Sequence, residues 1–230
     1  VIYGGTANNP DMVIFIATND GYLHAVDPDT GDELWSFIPE RLLSAQPALY
    51  ADPVSPLRQY GIDGEITTVI LNDDGQGGIT GSERAILTFG MRRGGDGLFA
   101  LDVTDRNDPQ LLWEIDSSTP GFSDLGQTWS TPQASRVKLG GTARDVLFFG
   151  GGYDTGQDNE TYREDTVGNA VYMVDTETGQ LLWSAGNGNG YDLELPDMTH
   201  SIPAPLLVTR LNGDGFASRL YFGDMGGRIW

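Results

Sequence analysis

An all-β fold assembled from a repeated hairpin is what this sequence predicts, on three observations. The stretch Gly168 to Trp183, GNAVYMVDTETGQLLW, recurs along the chain. Glycine supplies 32 of the 230 residues, about twice its usual ~7%, as a chain with many tight turns requires. No apolar run approaches the ~20 residues of a membrane-spanning helix.

Within the repeat, Val171 and Met173 mark one short strand and Leu181 and Trp183 the next. Between them, Asp175-Thr176-Glu177-Thr178-Gly179 is turn chemistry. Asp and Thr side chains fold back onto their own backbone, and Gly179 can take the positive φ that closes the turn. A second copy, GYLHAVDPDTGDELW from Gly21 to Trp35, keeps the eight-residue step between its Asp and its Trp. A looser copy, Gly97 to Trp113, keeps Asp102 and the terminal Leu-Leu-Trp but lengthens the turn. The final stretch, SRLYFGDMGGRIW, reads as the start of a fourth. Each copy follows another apolar strand ending in glycines, so one unit holds three or four antiparallel strands. Such a unit cannot bury both faces alone and must stack radially as propeller blades or pack as a sandwich. The repeats fall at about residues 12–39, 66–115, 145–186 and 206–230, within one domain spanning 1–230.

With no cysteine there is no disulfide framework, thiol nucleophile or Cys-based zinc site. No signal peptide is visible at Val1, and a segment that starts and stops on strands is expected to come from a longer chain. Thirteen basic residues scattered among thirty-three acidic ones, a net charge of −20, exclude a phosphate-neutralising stripe for nucleic acid. Cations are the expected small partners.

In chain order, Val1 to Pro10 reads as a polar lead-in and Met12 to Pro39 as the first complete repeat. Pro39 to Pro56, with apolar Leu42, Leu43 and Leu49 among prolines, predicts a short helical turn and an irregular excursion. Gly61 to Asp63 leads into a strand over Ile66 to Leu71. From Asn72 the run NDDGQGGITGSE lies in register with a twelve-residue calcium loop. Asn72, Asp74 and Gln76 take positions 1, 3 and 5, Gly77 the sharp turn, Gly78 offers its carbonyl, and Glu83 takes the bidentate position 12. Only Asp74 and Glu83 are anionic in that register, with Asp73 beside them, so the expected affinity is weak. The bland alternative is a glycine-rich hairpin tip with solvated acids.

Arg92 and Arg93 in GMRRGG are the basic cluster at a strand tip; pairing with Asp96 or solvation is the expectation, with an acidic partner loop as the alternative. Ser117 to Pro132, holding Trp129, reads as a long connection packed between units. Tyr153 to Thr166 is an acidic insertion without apolar periodicity, expected as an exposed interaction loop, mobile or ordered by a partner, in which Asp154 and Asp158 are remote metal candidates. The two histidines, His24 and His200, read as structural.

The run SIPAPLLVTRLNGDGFASRLYFGDMGGRIW, with YGIDG, FGMRRGG…FALDVTD and FGGGYD…GNAVYMVDTETGQLLW, resembles the β-propeller of the PilC/PilY family of type IV pilus biogenesis and adhesion proteins. The repeats alone are also similar to those of pyrroloquinoline-quinone (PQQ) propellers. The resemblance implies about three and a half four-stranded antiparallel blades of a seven-bladed propeller. It also implies export to the pilus tip, cell surface, outer membrane or periplasm, minor pilins and the host-cell surface as partners, and calcium as the ligand. The family's last loop is similar to D-x-N-x-D-G-x-x-D. Asn212 and Asp214 match it and Phe216 offers a carbonyl, but Arg210 and Ser218 stand where acids belong. A guanidinium there is expected to pair with Asp214 in place of a metal. The ranking that follows puts weak calcium at Asn72 to Glu83 and none at Asn212 to Ser218. A non-enzymatic pilus module is therefore preferred: a PQQ-dependent dehydrogenase is expected to carry a metal-ligating funnel site and usually adjacent cysteines, a periplasmic outer-membrane assembly scaffold lacks calcium loops, and no nucleophile, base and orienting partner come together in this inventory.

Overall fold

The computed structural model describes residues 1–51, 54, 58–160 and 162–230. After a ribbon of β1 (Ile2–Thr6) and β2 (Asn9–Met12) comes a three-stranded sheet, β3 (Ile14–Ala17), β4 (Leu23–Val26) and β5 (Glu33–Phe37). The second sheet has β6 (Ile66–Leu71), β7 (Arg84–Gly90), β8 (Leu98–Asp102) and β9 (Gln110–Ile115) in sequential order. A third repeats that order with β10 (Gln133–Leu139), β11 (Thr142–Gly150), β12 (Ala170–Asp175) and β13 (Leu181–Gly186), and β14 (Leu193–Glu194) adds at its edge. The pair β15 (Leu207–Thr209) and β16 (Arg219–Tyr221) opens a fourth. Pairing is antiparallel except for the two-residue β13–β14 contact. The one α-helix among the described residues, α1 (Gln46–Ala51), follows a 3-10 stretch at Glu40–Ala45. This is the helical turn expected after Pro39; residues 52–53 and 55–57 of that excursion lie outside the described residues.

Period-two alternation sends neighbouring side chains of each inner strand into different cores. On β7, Ala85, Leu87 and Phe89 face the first sheet, while Ile86 faces the third. On β12, Ala170, Tyr172 and Val174 face the second sheet, and Val171 and Met173 face the fourth. Both faces of the second and third sheets are thus buried by their neighbours, which is radial stacking.

The repeat's turn chemistry explains the joints. Asp27 and Asp175 each accept from the two backbone amides that follow in their turns. All three copies shift register just before the Asp, at Ala25/Val26, Ala100/Leu101 and Met173/Val174. The closing Trp of one sheet then docks on the corresponding turn of the next. Trp35 Nε1 donates to the Arg106 carbonyl at 2.8 Å. Trp113 Nε1 donates to the Thr176 carbonyl at 3.0 Å. Gly179 has φ +68, and a Cβ there would come within 2.7 Å of the Trp113 ring. Among the described residues Trp183 finds no such acceptor; it borders an apolar groove with Met173, Leu195, Leu220 and Phe222.

Two expectations are corrected. Val1 to Pro10 is not a plain lead-in: most of it pairs as the β1–β2 ribbon, tied at its base by Val13 N to Val1 O at 2.9 Å. The last stretch is not a copy of the Asp-to-Trp hairpin. Gly223 bridges Ile229 around Asp224–Gly227, so this is the turn between second and third strands, the counterpart of Met91–Gly95. Glycines ending an apolar strand occur at both kinds of turn, which is why the sequence pattern confused them.

Candidate functional site: an acidic loop and a basic face

The topology sorts loops to two ends of the sheets. One end carries the first-to-second and third-to-fourth strand turns, including Asn72–Glu83 and Asn212–Ser218. The other carries the second-to-third strand turns and the inter-sheet connections, including Arg92–Gly95, Trp129, residues 153–166 and His200.

At the first end, the β6–β7 loop gathers Asp73, Asp74 and Glu83, whose carboxylate oxygens lie within 4.8 Å of one another. Asn72 holds φ +57, one of two non-glycine residues described with positive φ, and Gly75, Gly77, Gly78 and Gly81 are also positive. Glu83 is buried and closes the loop: one oxygen accepts from Asp74 N and the other from Thr80 N, both at 2.8 Å. Those backbone donors hold its carboxyl below the usual glutamate range, so it is ionised at neutral pH. Asp74 Oδ1 accepts from Gln76 N, and Asp73 Oδ1 from Gly75 N. Asn72 gives its amide to the Ser82 carbonyl at 3.0 Å, and Ile79 N anchors the loop tip to Tyr3 O.

Of the residues placed by the twelve-residue register, the structure brings Asp74 and Glu83 together. It adds Asp73, and uses the Asn72 amide nitrogen as a loop tie. Three convergent carboxylates are the oxygen-rich donor set that a hard dication suits.

The Asn212 loop is built differently. Arg210 does not pair with Asp214, contrary to expectation. Its Nη2 crosses to the edge strand β10, within 3.4 Å of Ala134 O and 3.3 Å of Ser135 Oγ. Asp214 is satisfied locally by Phe216 N at 3.1 Å, which removes the need for a guanidinium. Ser218 Oγ donates to Thr209 O and accepts from Leu211 N, closing the loop where the family pattern has an acid. Phe216 carries Lys138 Nζ 4.5 Å above its ring and Arg136 nearby at 5.9 Å. One loop acid among Arg136, Lys138 and Arg210 is a poor donor set for a dication.

At the opposite end, two more expectations change. Asp96 does not serve Arg92 or Arg93: it takes Arg41 at 2.9 Å and the Ser117 amide at 3.1 Å. The insertion at 153–166, apart from residue 161, which lies outside the described residues, is ordered by its own acids rather than mobile. Buried Asp154 accepts from Gly156 N, Thr166 N and Arg163. Buried Asp165 accepts from Ser201 N and Gln157 Nε2, both at 2.6 Å. Asp158 accepts from the Tyr153 hydroxyl at 2.8 Å. Both metal candidates there are thus engaged in structural bonds. His24 meets Glu33 at 2.5 Å, and His200 is buried beside Thr199. What sequence reasoning missed is a conjunction: Arg92, Arg93, Tyr60 and Trp129 converge although 69 positions separate the outer two.

Comparison with known proteins identifies the fold's relatives. The family model for the PilY1 beta-propeller domain matches residues 5–230. "Type IV pilus biogenesis factor PilY1" of Pseudomonas aeruginosa (strain UCBPP-PA14) is 33% identical over 224 residues, covering 94% of this chain and 17% of that protein. A PilY1 homolog of Xylella fastidiosa (strain Temecula1) is 30% identical over 220 residues, covering 95% of this chain and 15% of the homolog. The crystal structure of the P. aeruginosa PilY1 C-terminal domain superposes with a TM-score of 0.63 at 26% identity, covering 95% of this chain and 37% of that one. The chain therefore spans about a sixth of the length of the P. aeruginosa and X. fastidiosa proteins. With its sheets stacked face to face and its family pattern matched nearly end to end, the chain belongs to the PilY1 β-propeller family.

Proposed function

We propose that this chain is a non-catalytic, calcium-binding propeller that works in type IV pilus assembly and at the pilus tip, supporting extension and retraction, twitching motility and surface adhesion. Family membership carries the reading, because its relatives are named as type IV pilus biogenesis factors. Minor pilins are the proposed partners within the pilus and the host-cell surface the partner outside it, which places the chain in the exported fraction.

Calcium is assigned to Asp73, Asp74 and Glu83, with the Gly78 carbonyl, Asn72 and Gln76 as neutral oxygen donors. There the ion would screen mutual repulsion among the acids and fix the loop against the β1–β2 ribbon. A non-enzymatic role is supported by the naming of the relatives as pilus biogenesis factors, while His24 is held by Glu33 and His200 is buried beside Thr199.

The test is a chimera in which residues 5–230 replace the matched segment of P. aeruginosa PilY1 in a strain lacking that protein. Restored surface pili and twitching are expected. A chimera exported at normal level that yields no pili would contradict the assignment.

A further inference from the structure

We propose that Arg92 and Arg93, stacked with Trp129 and Tyr60, form a carboxylate-recognition site for an acidic segment of a partner protein. The inference stands apart from the calcium and pilus readings, since it uses only the geometry of this end of the sheets.

The two guanidinium groups share an aromatic platform. Arg92 Cζ lies 5.4 Å from the Trp129 ring centroid and Arg93 Cζ 5.5 Å from it, while Tyr60 sits 5.7 Å from Arg93. Tyr153 meets the indole edge-on at 6.2 Å. Trp129 itself is oriented by Nε1 donating to Gln127 Oε1, and Gln127 Nε2 reaches the Arg93 carbonyl.

Neither arginine has a carboxylate within ion-pair distance among the described residues, in a chain of net charge −20. That is not for want of acids, because Arg41, Arg84, Arg106, Arg144 and Arg163 all find them. Arg92 Nε is in addition shielded from solvent without an acceptor, and a buried donor left unmade is costly.

The loop is held in this arrangement against its own preference. Arg92 has φ +46, a left-handed conformation that side chains disfavour. Thr128 keeps it there: its carbonyl accepts from Arg92 N, its hydroxyl accepts from Met91 N and donates to Gly97 O, and its amide donates to Gly95 O. Gly94 abuts the Gly61 carbonyl so closely that a Cβ would come within 1.9 Å of it. Strain that the surroundings over-determine marks segments kept for a task.

The class of ligand follows from the groups. A planar guanidinium fork matches a carboxylate, and aromatic faces beside it suit the apolar part of a neighbouring residue. Arg, Trp and Tyr together are the residue types that dominate protein–protein hot spots. The protein's overall negative charge disfavours long polyanions, whereas a short acidic segment feels the two arginines within a screening length of about 8 Å.

The experiment follows the five tryptophan indole resonances in 15N-labelled protein during titration with acetylated tetraglutamate, using acetylated tetralysine and inorganic phosphate as comparisons. Tetraglutamate should shift the Trp129 indole saturably, and raised salt should weaken the effect. Arg92→Gln with Arg93→Gln should bind about tenfold more weakly, as expected for the loss of two charge-assisted contacts. Should the double variant unfold, Arg93→Gln alone suffices, because that side chain is exposed and lies outside the core. Arg219→Gln, on the opposite end of the sheets, should leave the titration unchanged. No saturable shift, a shift that survives Arg93→Gln undiminished, or phosphate competing as strongly as tetraglutamate would overturn the proposal.

Discussion

Replacing Trp113 by phenylalanine tests the rule that joins one sheet to the next. The indole is 7% exposed, and its N–H is the partner of the Thr176 carbonyl, at a residue with no exposed surface. Phenylalanine preserves much of the ring packing but leaves that carbonyl buried without a donor, a loss of about 1–3 kcal/mol. Taking ~2 kcal/mol, and ~2–4 °C per kcal/mol for a domain of this size, the melting temperature should fall by about 4–8 °C. Trp183 is the internal control: it occupies the same place in its repeat, yet its N–H meets no acceptor among the described residues. Trp183→Phe should therefore cost under ~1 kcal/mol. Far-UV circular dichroism during thermal and urea unfolding reads both variants without relying on the fluorophore that was removed. If the two substitutions destabilise equally, or if Trp113→Phe is neutral, docking of the indole on the next turn is not what couples the sheets.

The same joint can be probed from its other side. Gly179→Ala should destabilise by more than ~2 kcal/mol, because it adds a steric clash with Trp113 to the ~1 kcal/mol of a left-handed backbone. Gly31→Ala, at the equivalent turn with φ +78 and nothing within 4 Å, should cost only the backbone part, and chemical denaturation compares them directly. For pH, Glu83 is held below its ordinary value of 4.5 in the folded state by backbone donors. Its contribution to stability is present above that value and is lost as pH falls through the lower folded pKa. The stability gap between wild type and Glu83→Gln should therefore be wide at pH 7 and narrow under acid, as urea unfolding at the two pH values would register. Reconstitution with PQQ and calcium should give no alcohol-dependent dye reduction, and sustained turnover would favour the dehydrogenase alternative.

Much of the fold was legible because the repeat carries its own geometry. The D-x-x-T-G turn, the alternation on both inner strands and the terminal Trp each specify a local conformation that tertiary contacts reinforce rather than override. The N-terminal ribbon was not legible, since Gly4, Gly5, Asn9 and Pro10 look like loop, and only the pairing with residues across the turn makes them strand. The final turn misled because glycines close strands at both ends of each sheet.

For the site, local spacing placed Asp74 and Glu83 in one contiguous loop, and their carboxylates do lie together there. It misjudged Arg210, whose partners lie 75 or 76 positions away, and Asp154, which is held by Arg163 and Thr166, 9 and 12 positions away, as well as by its neighbour Gly156. Nor could it join Arg92 and Arg93 to Tyr60 and Trp129, because stacking of sheets, not spacing in sequence, sets that contact.

The central claim, a calcium-binding propeller whose ion sits in the β6–β7 loop, is tested most directly by isothermal calorimetry of calcium into the wild-type chain and into Asp74→Ala and Asp214→Ala. Weak, single-site binding that disappears in Asp74→Ala and persists in Asp214→Ala is the predicted result. Arg210→Asp with Ser218→Asp should add a second site at the Asn212 loop. Binding that survives Asp74→Ala and is lost in Asp214→Ala would contradict the account.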